Sequence, residues 1–135
     1  MNLRLASLAI ASAVLTLGIA GCGMPARQLD SITVSPATAS GSQVQFTATS
    51  HWSAAPATVT PQAANWVACG EQGAPTKLVT VSSGGLAQCA SGATGTFIIY
   101  ANHPAVPTPK ADCNVVSACG GGCGIVTGSA QLTCP

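Results

Sequence analysis

Few side chains in this chain could do chemistry. It holds three acids (Asp30, Glu71 and Asp112), two histidines (His51 and His103) and seven cysteines. A hydrolytic carboxylate pair needs two acids at a set separation, one of them kept protonated by its surroundings. Glu71 and Asp112 lie in separate loops, and together with His103 they define the alternative reading, a small hydrolase. A triad enzyme would need a histidine between a nucleophile and an orienting acid. No Gly-x-Ser-x-Gly turn exists to present such a nucleophile. Gly120-Gly121-Gly122 invites comparison with a phosphate loop, but no Lys-Ser or Lys-Thr follows it. The simpler expectation is solvated loop charge, with the acids paired to Lys77 or Lys110, and no catalytic residue.

The cysteines offer two chemistries. Cys113, Cys119, Cys123 and Cys134 could form a thiolate zinc site, since Cys119 and Cys123 have a permissive spacing. No second close pair matches it, and His103 stands apart. The other chemistry is disulfide formation, which depends on the compartment. Arg4 is the one charge ahead of an apolar run from Leu5 to Ile19. That run is short and ends in small residues, as export signals do. Its ending, Ile19-Ala20-Gly21-Cys22, resembles the lipobox of bacterial lipoproteins. The resemblance implies diacylglycerol on the Cys22 sulfur, cleavage before Cys22 and acylation of the new amine. Several acyl chains anchor stably where one binds marginally. Setting Cys22 aside from the seven cysteines leaves an even six. In the lipoprotein sorting pattern an Asp after the cysteine commonly retains the protein at the inner membrane, so by that resemblance Gly23 favours the outer membrane if the host is Gram-negative. The expected organisation is a signal peptide over 1–21, a lipidated tether over 22–30 and one domain over 31–135.

The elements that position these residues read as short strands. Val44, Phe46 and Ala48 alternate with Gln45, Thr47 and Thr49, the signature of a strand buried on one face. Ile32 and Val34, Val79 and Val81, and Ala130 and Leu132 repeat the pattern. Turn clusters separate the runs, and no helical periodicity follows residue 22. The formal net charge is +1. That leaves no basic footprint for nucleic acid. Beyond Cys22 no apolar run is long enough to span a bilayer. With few aromatics, the core must come from Val, Ile, Leu and Ala, and small domains with so lean a core usually need staples.

Five pieces in order carry a family resemblance: Ile32-Thr-Val-Ser-Pro36, Gln45-Phe-Thr-Ala-Thr49, Trp66, Val79-Thr-Val-Ser-Ser-Gly-Gly-Leu86, and Gly95-Thr-Phe-Ile-Ile-Tyr-Ala101. They resemble bacterial Ig-like domains of group 2 over roughly residues 31–134. The resemblance implies an immunoglobulin-like β-sandwich of about seven short strands, with Trp66 in the core. It departs from the family in its six half-cystines and in enlarged loops at 69–77 and 103–126. An antiparallel strand order is expected to put both loops at one pole, and the tether near the other pole or along the edge. It favours Cys89–Cys134, Cys69 with a cysteine of the long loop, and the remaining two with each other; Cys69–Cys89 stays open should the register differ. No metal or cofactor is expected beyond the lipid on Cys22. The partners expected are the membrane and a protein or glycan ligand. Glu71, Lys77, His103, Lys110 and Asp112 are the candidate contacts on the two loops. Trp52 and Tyr100 are candidate exposed aromatics, with packing under a loop the simpler role for both.

Overall fold

The structure, a computed structural model, describes residues 27–104, 116–117, 119, 121–122 and 124–135. The signal segment, Cys22, Lys110, Asp112, Cys113 and Cys123 lie outside the described residues. Within them the chain is all-β. Its strands are β1 (Leu29–Ser35), β2 (Thr38–Ser40), β3 (Gln43–Gln45), β4 (Thr47–Trp52), β5 (Thr58–Val59), β6 (Asn65–Cys69), β7 (Val79–Val81), β8 (Leu86–Cys89), β9 (Gly95–Pro104), β10 (Val116–Ser117), β11 (Gly121–Gly122) and β12 (Ile125–Cys134).

Alternation decides which face of each strand is buried. In β1, Leu29, Ile32 and Val34 turn inward, and a register shift between Leu29 and Ser31 leaves Asp30 exposed. The strand thus begins at Leu29, two residues ahead of the expected boundary at 31. Pro36 ends it, because proline cannot donate to a ladder. The chain then crosses to the opposite layer, where β2 runs parallel to β12. β3 and β4 are halves of one path, broken only at Phe46, whose N–H donates to the Gly85 carbonyl at 2.9 Å. That path joins the ladders β1-β4-β5 and β3-β8-β7 into one layer. The other layer is β2-β12-β9-β6. The result is an immunoglobulin-like β-sandwich, with β1/β2, β3/β4, β6, β7, β8, β9 and β12 as its strand paths.

The core lies between the layers. Phe46, Ile99 and Leu132 are its largest fully enclosed apolar side chains, and Ala48, Ala68, Ala87, Ala101 and Ala130 fill much of the rest. Alanine buries little area, so these positions contribute far less than the roughly 1.5–3 kcal/mol of a buried Leu or Phe. Close approach of the layers partly compensates. A Cβ on Gly128 of β12 would sit 2.6 Å from the Ile32 carbonyl oxygen of β1. Trp66, expected in the core, is half-buried and packs against the core's edge. It lies beneath the β7–β8 turn, where Gly85 has φ 84° and a Cβ would meet both the Phe46 carbonyl and the indole.

Two disulfides staple this lean core. Cys89–Cys134 ties β8 in one layer to the end of β12 in the other, with Cα atoms 6.0 Å apart. Cys69–Cys119 ties the end of β6 to the connection between β9 and β12, also at 6.0 Å. Both pairings agree with the expectation, and they divide Cys119 and Cys134 between separate bridges, which dissolves the alternative zinc set. The expected Cys113–Cys123 pair lies outside the described residues.

One topological expectation is corrected. β9 runs antiparallel to both β6 and β12, with Asn65 opposite Asn102, Cys69 opposite Ile98 and Ile125 opposite Pro104. The end of β6 therefore meets the beginning of β9, and the two enlarged loops spring from opposite ends of the sandwich. Residues 69–77 leave from the end marked by Gly95 and Cys134, here called the far end. The 103–126 connection is rooted at the other end, where Leu29 of β1 pairs with Trp52 of β4. The N-terminal segment thus arrives beside the root of that connection, not at the opposite pole. To reach Cys69, the connection must return from Pro104 to the level of Ile98, roughly 20 Å along the strand.

Candidate functional site

The structure separates the expected contact residues into two groups. At the far end, the β6–β7 loop folds back on its own strand. Gly70 N–H donates to Ala74 O at 2.9 Å and Thr76 N–H to Ala68 O at 3.0 Å. Gly73 supplies the positive φ of 72° that this tight turn needs. Glu71 and Lys77 both project to solvent. Between this loop and residues 94–97 runs an open groove of about 520 Å³. Leu78, 50% exposed and the one large exposed hydrophobic residue described, lies on its wall.

At the N-terminal end the side chains interlock. Ser50 is fully buried; its hydroxyl accepts the Trp52 indole N–H at 2.6 Å and donates to Gln62 Oε1 at 2.7 Å. With its one donor satisfied, the half-buried Trp52 ring presents its face to the Arg27 guanidinium, 4.0 Å from the centroid. Contacts of this kind are worth roughly 0.5–1 kcal/mol at exposed sites. Arg27 is held there by bonds from Nε to Ala54 O at 3.2 Å and from Nη2 to Pro56 O. The half-buried His103 completes the group, edge-on to Trp52 with centroids 6.2 Å apart. Trp52 is half-buried, packed against the core on one side and met by Arg27 and His103 on the others. Sequence reasoning passed over Arg27, whose partners are backbone carbonyls 27 and 29 residues away.

Two further features lie on the flanks. A groove of about 430 Å³ opens where β3 gives way to β4, lined by Gln45, Gln62 and Trp66 among others. Gln45 Nε2 bridges the Phe46 and Gly84 carbonyls, each at 2.7 Å, and closes the gap left by the broken ladder. Tyr100, half-buried, sits on the outward face of β9 beside Ile98. His51 lies on β4, its Nε2 3.3 Å from Thr33 Oγ1.

The hydrolase alternative required Glu71, Asp112 and His103 to converge. Glu71 lies by residues 94–97 and His103 near the other end of β9, roughly 20–25 Å apart along the strand. These two do not share a site; Asp112, like Lys110, lies outside the described residues. Among the described residues no three His, Cys, Asp or Glu side chains gather as a metal site would need. No protein-family model and no curated protein matches the chain.

Proposed function

We propose that this chain is a lipid-anchored protein of the cell envelope, carrying a single group 2 Ig-like module that acts in recognition or in surface structure. The observation that carries the reading is the cysteine arithmetic. Four half-cystines are consumed in two bridges, which leaves Cys113 and Cys123 for the expected third pair and Cys22, in its lipobox-like context, as the odd one. The Ile19-Ala20-Gly21-Cys22 ending supports lipidation, and Gly23 supports the outer membrane where the host is Gram-negative. A rigid sandwich with stapled loops supports binding over catalysis, because pinned loops lose less entropy when they dock.

Replacing Cys22 with Ser tests the anchor. The variant moves from the membrane to the soluble fraction while its melting temperature stays that of the parent. A variant that still sediments with membranes, beside a parent free of lipid mass, overturns the reading. For the recognition role, the tagged mature domain is used to capture a protein or glycan partner from its own envelope. The far-end loop predicts that Glu71→Ala and Lys77→Ala weaken that capture. Loss instead on substituting Gln45, Thr47 or Thr49 would move the contact to the sheet.

A further inference from the structure

We propose that Arg27, Trp52 and His103 form a membrane-contact face, which seats the N-terminal end of the sandwich on the headgroups of the bilayer that holds Cys22. The inference rests on the lipid anchor proposed above and adds an orientation to it. Its first support is reach. Five peptide steps separate Cys22 from Arg27. Fully extended, they span at most about 18 Å. β9 alone has 10 residues, a length of roughly 33 Å. The leash is therefore shorter than the body it holds. Because β1 begins beside Trp52 and the root of the β9–β12 connection, that end is held near the lipid while the far end can stand clear of it.

The second support is chemistry. A headgroup layer of about 5–8 Å per leaflet favours side chains with an apolar body and a polar tip, tryptophan above all. Trp52 is half-buried, and its N–H is already satisfied by Ser50, so contact with lipid leaves no indole donor unpaired. Arg27 carries five donors. The Nε and Nη2 bonds to Ala54 and Pro56 hold the group over the indole and leave donors for a lipid phosphate. Asp30 follows three residues later on β1 and offsets the charge of Arg27 at a distance. The attraction is thus a hydrogen-bonded phosphate contact with an aromatic beside it, not a field of net positive charge. Lys77 and Glu71 lie at the far end. Seated in this way, the domain turns the far-end groove with Glu71 and Leu78 away from the bilayer.

The test uses the mature lipidated protein, purified from membranes and reconstituted into vesicles of phosphatidylethanolamine and phosphatidylglycerol. Some vesicles also contain phosphatidylcholine with a nitroxide on its headgroup. Nitroxide quenches the tryptophan emission of the parent and of Trp66→Phe. Trp52→Phe loses most of that quenching, and a reporter at the far end, Leu78→Trp in the Trp52→Phe background, stays unquenched. Arg27→Gln reduces the quenching of Trp52 roughly twofold or more. If Trp52 escapes quenching, or the Leu78→Trp reporter is quenched as strongly, while intact mass shows lipid on Cys22, the seating is wrong and the anchor stands. If Cys22 carries no lipid, the anchor is wrong and the seating falls with it.

Discussion

Removing the Cys89–Cys134 bridge by the double substitution Cys89→Ala, Cys134→Ala should cost this domain much of its stability. The bridge closes a loop with a sequence separation of 45. The chain-entropy relation gives about 4 kcal/mol for a loop of that length, released to the unfolded state when the bridge is absent. Domains of this size have about 5–15 kcal/mol in total, and a core whose filler is Ala48, Ala68, Ala87, Ala101 and Ala130 places this one towards the lower part of that range. The melting temperature should fall by roughly 15–25 °C. Paired alanines avoid the new thiols that single substitutions or reduction would leave. Urea unfolding followed by circular dichroism and tryptophan fluorescence measures the change. The midpoint falls, and the m-value rises because the unfolded chain expands without the cross-link. Cys69→Ala, Cys119→Ala opens a loop of separation 50 and should cost a similar amount. A loss below about 1 kcal/mol for either pair would refute the view that these staples compensate for a thin core.

Gly85→Ala should destabilise by about 2–4 kcal/mol, because it strains a positive φ and drives a methyl into the Phe46 carbonyl and the Trp66 ring; an unchanged urea midpoint would contradict the packing described there. Ser50→Ala removes the partner of both the Trp52 N–H and Gln62 and should cost about 1–3 kcal/mol, with an altered Trp52 emission spectrum as a second readout. Glu71→Ala and Lys77→Ala change exposed loop positions and should shift stability by less than about 0.5 kcal/mol, so any loss of partner capture they cause reports binding and not folding.

Alternation made the sheet faces legible. Ile32 and Val34 in β1, and Ala130 and Leu132 in β12, are buried where period-two reading placed them. The residues of Val79 to Leu86 marked a turn, and the structure gives its reason: Ser82 Oγ accepts the Leu86 N–H while Gly85 occupies a conformation closed to other residues. Both disulfides were expected, but from a shared-pole premise that the structure overturns: Cys69 and Cys134 close their strands at the same end, and Cys119 meets Cys69 although its connection is rooted at the other. The sharing of ends by the loops was not legible. Side-chain periodicity records which face is buried and nothing of strand direction, and the direction of β6 is set by its pairing with the distant β9. The same limit hid Arg27. A single charge between Ala26 and Gln28 gives no local sign that Ala54 and Pro56 will hold it over Trp52.

The central claim, a disulfide-stapled module held by lipid at Cys22, is tested most directly by intact mass of the protein purified from membranes of its own host, with and without thiol alkylation before reduction. The account predicts a chain that begins at Cys22, carries a covalent lipid adduct there, and takes up no alkylating reagent until it is reduced. After reduction it takes up reagent at Cys69, Cys89, Cys113, Cys119, Cys123 and Cys134. A chain that begins elsewhere, or that starts at Cys22 with no added lipid mass, would contradict the anchor; reagent bound before reduction would contradict the staples.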